Sequence, residues 1–129
     1  SGRHSEQECM ERAMFFESNR SSRDGMIAVG SVVMNRVASN QFPNSVCGVV
    51  HQRGQFTYNK GRRMSNAAAA ARSRQIAADA IAGAPRALTD GATYFHTTAV
   101  RPSWSKRFTR TARIGSHIFY RQGRRVASN

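Results

Sequence analysis

Apolar residues recur at helical spacing through the first forty positions. Ser5-Glu6-Gln7-Glu8 has the form of a capping box, in which Ser5 caps and Glu8 reaches back. It opens a predicted helix to about Asn19. Met10, Ala13 and Met14 share one face of it. Glu17 follows them at offsets of seven, four and three residues, so a carboxylate occupies a place where the pattern asks for a core side chain. Ser21 to Gly25 form a short connection, with Asp24 as a helix-start residue. A second helix to about Ser39 carries Ile27, Ala28, Val29, Val32, Val33, Met34 and Val37 on most of its faces, as a central buried helix does. Gly30 within it lets a neighbour approach closely.

Phe42-Pro43-Asn44 breaks the chain, and Ser45 to His51 reads as a short helix. Arg53 to Met64 reads as an irregular loop or small hairpin around Phe56 and Tyr58. Ser65 or Asn66 caps a third long helix through five alanines to Ile81, ended by Gly83 and Pro85. The pattern then changes. Ala92 to Thr97 and His117 to Tyr120 are short aromatic and β-branched segments, read as strands, with Pro102, Trp104 and a basic stretch between them. Helices first and strands last argue an α+β fold. Residues 1–129 are expected to form one domain, frayed at 1–4 and 122–129.

Composition adds a partner class. Twenty Lys+Arg face seven Asp+Glu, a net charge of +13, and the only lysines are Lys60 and Lys106. Such a surface steers toward a polyanion, for which nucleic acid, anionic lipid and bacterial cell wall all qualify. No apolar run approaches a membrane span, so no stable membrane insertion is expected. Ser1 to Ser5 is polar and is no signal peptide; an exported form would carry its signal outside this stretch. Cys9 and Cys47 permit one disulfide or two reduced buried thiols, and composition favours neither. No Cys, His or carboxylate cluster has metal-ligand spacing, and neither a metal nor a cofactor is expected.

A carboxylate on an apolar stripe has two readings. It is a helix-end residue that reaches solvent or pairs with Arg20, or it is a general acid whose pKa is raised by apolar neighbours. Four blocks favour the second. They are Ala13 to Arg20; Asp24 to Val37; Phe42 to Val50 with Gln55-Phe56; and Ala92 to His96 with Val100-Arg101-Pro102 and Ile114 to Tyr120. In order and spacing they resemble the bacterial cell wall hydrolase family that includes the spore cortex-lytic enzymes of the SleB type. The resemblance implies a lysozyme-like α+β fold, cleavage of peptidoglycan glycan strands in the cell envelope or periplasm, and a catalytic glutamate at Glu17. Many relatives continue that glutamate with Ala-Arg-Gly-Glu. Here Ser18-Asn19-Arg20-Ser21-Ser22 follows, so no role of that later acid carries over.

Hydrolytic glycosidases use two carboxylates, about 5–5.5 Å apart for retention or roughly 6.5–9.5 Å for inversion. The other six acids of this chain all have ordinary structural explanations, although folding leaves room for Asp24 or Asp90 to come close. A lytic transglycosylase needs one. Its acid protonates the leaving oxygen between MurNAc and GlcNAc, then as base takes the proton of the MurNAc 6-hydroxyl, which closes on C1 to give a 1,6-anhydro end. That route is favoured; hydrolysis by a muramidase is the alternative. Gln55 is a candidate for hydrogen bonds to sugar, and Phe56 and Tyr58 for packing on sugar faces. Tyr94 and His96 share one strand face, and His96 is placed to orient an acetamido or hydroxyl group. Trp104 suits the core or the groove wall, His117 the packing of the last strand, and Arg101 a substrate carboxylate.

An envelope substrate makes the bridged form of Cys9 and Cys47 the expected one. The expected partner is the peptidoglycan strand, met by a monomer. Two competing classes are a small basic nucleic-acid-binding module, which has no recognised motif and leaves Glu17 unexplained, and a non-catalytic wall-binding domain.

Overall fold

In the computed structural model, residues 4–18, 22–52, 56, 62–84 and 87–123 are described. Four helices come first: α1 (Glu6–Glu17), α2 (Arg23–Ala38), α3 (Val46–Val50) and α4 (Ala67–Ile81). Three strands follow, β1 (Tyr94–Thr97), β2 (Thr109–Ile114) and β3 (His117–Arg121), with short 3-10 turns at Ala87–Thr89 and Ser103–Lys106. The fold is α+β, as the order of the patterns predicts, and lysozyme-like, as the family resemblance implies.

Each helix starts on the side chain that sequence chemistry favours. Ser5 and Glu8 form a complete capping box on α1. The hydroxyl of Ser22 accepts from Gly25 N–H, that of Ser45 from Gly48 N–H, and the Asn66 side chain from Ala69 N–H. Helix α1 ends at Glu17, two residues short of the predicted Asn19. Its C-cap Ser18 turns to an extended backbone, ψ 168°, which stops the helix there, and its buried hydroxyl joins its N–H in donating to the Met14 carbonyl.

The helical core joins Met10, Met14 and Phe15 of α1, Met26 and Val33 of α2, Val49 and Val50 of α3, and Ala70, Ile76 and Ala77 of α4. Small side chains bring the backbones together. A Cβ at Gly30 would run into the Met14 methyl group, the close approach expected of that glycine. A second core lies between α2 and the sheet, where Ala28 and Val32 meet Ala92 and Phe119, with Phe95, Ala112 and Ile114 around them.

The sheet has strand order β1-β3-β2 and is antiparallel throughout. Strand β2 stands where a basic connection between the two predicted strands is expected. Thr109-Arg110-Thr111-Ala112-Arg113-Ile114 does not alternate, because an extra residue sits between Arg110 and Ala112 in its pairing with β3. Such a bulge breaks the two-residue period on which strand recognition depends.

Cys9 and Cys47 form a disulfide across 38 residues of sequence. It ties α1 to α3. Glu6 strengthens the same junction, since its carboxylate accepts from the N–H groups of Val46 (2.6 Å) and Cys47 (3.1 Å) at the start of α3. Replacing both cysteines with serine should lower unfolding stability by about 2–4 kcal/mol, read from urea denaturation. Thiol titration of the unreduced, denatured protein should find no free thiol; two would show that the bridge is not formed.

Candidate active site

Glu17 is the last residue of α1 and is half-buried, one turn beyond the fully buried Ala13 and Met14. The preceding Phe16 holds the helix end through two guanidinium groups, Arg12 at 5.2 Å and Arg62 at 5.1 Å from its ring. Arg12 also donates to the Arg62 carbonyl, so the chain entering α4 is anchored to α1 next to Glu17. On the other side α2 begins close to this end: a Cβ at Gly25 would lie 3.6 Å from that of Ser18.

All seven acids fall within the described residues, and the six besides Glu17 have identifiable surroundings. Glu6 caps α3. Glu8 closes the capping box, and its pKa is lowered chiefly by the Ser5 backbone N–H. Glu11 is buried and accepts from Gln7 at 2.9 Å. Asp79 is exposed and accepts from Gln75. Asp90 is a left-handed turn residue, φ 51°, 3.7 Å from Arg121. Asp24 is exposed in the first turn of α2.

The sheet brings together several of the predicted binding residues. Tyr94 and His96 lie on its outer face, as their alternation requires, with Tyr120 beside them. Trp104 leans against all three, with ring centroids 5.2 Å from Tyr94, 5.6 Å from His96 and 5.3 Å from Tyr120, so it walls the cluster rather than filling the helical core. His96 is buried and both ring nitrogens are engaged. Nδ1 lies 2.7 Å from the Thr97 carbonyl, so it carries the proton in the neutral ring, and Nε2 accepts from the Tyr120 hydroxyl at 2.9 Å. His117 is on the opposite, inner face against Phe95 and Phe119, and supports the last strand as expected. Burial, with the nearby His96, lowers its pKa. Arg101 is exposed just before the Ser103–Lys106 turn. Phe56 is half-buried, 5.8 Å from Phe95, and touches both cores. Gln55 and Tyr58 lie outside the described residues.

Arg36 was not singled out by the sequence reading. It is almost fully buried near the end of α2 and donates from Nε to the Thr93 carbonyl at 2.7 Å. Its guanidinium lies 4.5 Å from the Phe42 ring, 4.9 Å from Tyr94 and 5.6 Å from Phe56. Burial brings its pKa down to about 10, so it stays charged at neutral pH. The signal was available. Arg36 stands three, four and seven residues beyond Val33, Val32 and Val29, the same offsets that mark Glu17.

The sequence profile of the cell wall hydrolase family matches residues 20–120. The chain belongs to the cell wall hydrolase family. Its matched region begins just after Glu17, so the glutamate assignment rests on the wider sequence blocks. The chain is 30% identical over 111 residues to the spore cortex-lytic enzyme of Bacillus subtilis, covering 84% of this chain and 35% of that protein. It is 42% identical over 48 residues to the spore cortex-lytic enzyme of Bacillus cereus, covering 37% of this chain and 18% of the relative. The chain thus spans about a third or less of the length of these curated relatives. Among solved structures it is similar to the catalytic domain of the Bacillus cereus SleB protein, with TM-score 0.70 and 27% identity over 90% of this chain and 89% of that one. It matches the catalytic domain of the germination-specific lytic transglycosylase SleB from Bacillus anthracis with the same score and identity, over 92% and 97%.

Proposed function

We propose that this cell wall hydrolase domain acts in the bacterial envelope, as a monomer, and cleaves peptidoglycan glycan strands between MurNAc and GlcNAc by lytic transglycosylation. Glu17 serves as acid and then as base. The observation that carries this reading is the disposition of the acids: Glu17 stands at a helix end beside the core, while Glu6, Glu8 and Glu11 are engaged in holding α1 together and to α3. The carbonyl end of a helix disfavours added negative charge, which suits a residue that must hold a proton until the leaving oxygen takes it. A relative named a spore cortex-lytic enzyme and a similar structure named a lytic transglycosylase support this route.

With Glu17 as the one acid and base, the nucleophile comes from the substrate. The 6-hydroxyl of MurNAc is already tethered to the ring it attacks, so holding the sugar in a suitable pucker replaces the positioning of a water. The Tyr94–Trp104 surface offers apolar faces for sugar rings. The His96–Tyr120 pair sits behind it as a rigid support, because the histidine has both nitrogens occupied within the protein. Gln55 remains the proposed hydrogen-bonding partner of the sugar, and Phe56 and Tyr58 its proposed packing partners.

One observation favours hydrolysis as a second reading. Asp24 is exposed, and the helix it opens starts against the end of α1. A muramidase would use it to activate a water. Digestion of sacculi in oxygen-18 water separates the two. The expected product is a 1,6-anhydro-MurNAc end without label, seen by mass spectrometry of the released muropeptides. A labelled reducing end with no anhydro product would establish the muramidase route.

A further inference from the structure

The outer face of the sheet continues past the aromatic cluster into a strongly basic surface. Arg110 and Arg113 are three residues apart, a spacing that places two side chains of a regular strand on opposite faces. The bulge in β2 changes that. Arg110 pairs with Tyr120 and Arg113 with Ile118, and Tyr120 and Ile118 both belong to the outer face, so the two arginines lie on one side. Next to them is a depression of about 300 Å³, lined by Ile118 and Tyr120 together with Arg110, Arg101, Ser105 and Val100. A second depression of about 430 Å³ adjoins it and shares Arg101 and Ser105, with Lys106 on its far side.

This surface has features of a built site. Its floor is rigid, since the Tyr120 hydroxyl is fixed by His96 and its ring is packed by Trp104. The turn that forms the wall is closed by Ser105, whose N–H and hydroxyl both donate to the Pro102 carbonyl. None of the seven acids lines either depression. The only acid after α4, Asp90, lies 3.7 Å from Arg121. Val100 is half-exposed at the rim. Two guanidinium groups over an apolar floor suit a carboxylate carried on a short aliphatic chain, because guanidinium binds carboxylate in a directed fork.

We propose that the Arg101–Arg110 surface binds the peptide stems of peptidoglycan through their carboxylates, so that this domain selects glycan strands whose stems are intact. The proposal rests on the peptidoglycan reading above and adds a determinant remote from Glu17 in sequence and chemistry. A stem is a short peptide with apolar side chains and free carboxylates, which matches both the floor and the rim.

Binding to soluble glycan strands tests this without cleavage. The full chain carrying Glu17→Gln is immobilised, and its retention of soluble, uncross-linked peptidoglycan strands that keep their stems is compared with that of strands whose stems were removed by an amidase. The parent should bind the stem-bearing strands about tenfold more tightly. Adding Arg101→Gln and Arg110→Gln should remove that difference, while the charge-matched pair Arg63→Gln and Arg74→Gln should keep it. Equal binding of the parent to both kinds of strand would overturn the stem site alone, as would a preference that survives loss of Arg101 and Arg110. Equal loss in the charge-matched control would assign the effect to net charge and overturn the site. Failure to bind either kind of strand would overturn the peptidoglycan reading and this proposal with it.

Discussion

Glu17→Gln should abolish wall lysis while leaving the protein folded. The turbidity of purified sacculi should fall at least about a thousandfold more slowly than with the parent chain, in the upper part of the roughly 10²–10⁴ that general acid–base catalysis supplies, because the same group is needed in both halves of the reaction. The amide keeps the shape of the acid but has no proton to give to the leaving oxygen. It is also a poor base for the 6-hydroxyl. The fold should tolerate the change, since Glu17 is half-buried at the helix end and the capping of α1 runs through Ser18 and Ser5 rather than through this side chain. Asp24→Asn is the necessary companion. Under the transglycosylase reading it retains near-parent turnover, as an exposed helix-start residue would. Near-normal lysis by a folded Glu17→Gln protein would remove Glu17 from the mechanism, and equal losses in both variants would favour the two-carboxylate hydrolysis.

The sequence disclosed the helices more fully than the sheet, for a physical reason. Ser5, Ser45 and Asn66 announce helix starts because a side-chain oxygen must satisfy a free backbone N–H, and that requirement is local. Gly30 is legible for a similar reason, since only one residue type leaves room for Met14. Strand β2 was hidden because its bulge displaces the period and its exposed arginines imitate a basic loop. His96 shows a different limit. Its place on a strand face follows from alternation, and one ring partner is the carbonyl of the next residue, Thr97, but the other is the Tyr120 hydroxyl twenty-four residues away, which no local pattern reveals.

Arg36 shows that the argument applied to Glu17 has a wider reach. A charged residue at core offsets from Val29, Val32 and Val33 marks a point where the fold depends on a charge, and here the charge joins α2 to β1 through Thr93 and to the aromatic rings of Phe42, Phe56 and Tyr94. Asn35 makes a parallel bond to the Ala92 carbonyl at 2.9 Å. Together they attach the helical half to the strand that presents Tyr94 and His96.

Arg36→Ala should therefore lower unfolding stability by about 3–5 kcal/mol. Truncation leaves a cavity among three rings, removes desolvated cation–π contacts worth up to about 2 kcal/mol, and leaves the Thr93 carbonyl without the guanidinium donor. Arg36→Met separates these contributions. It refills much of the volume and ends the cost of burying a charge, a cost already evident in the lowered guanidinium pKa. Its destabilisation should be smaller than that of alanine by about 1–2 kcal/mol. Urea midpoints at constant slope measure both. If methionine were as destabilising as alanine, the charge and its hydrogen bond would dominate over packing. If alanine cost under about 1 kcal/mol, the ring-enclosed arginine would not be the junction between helices and sheet.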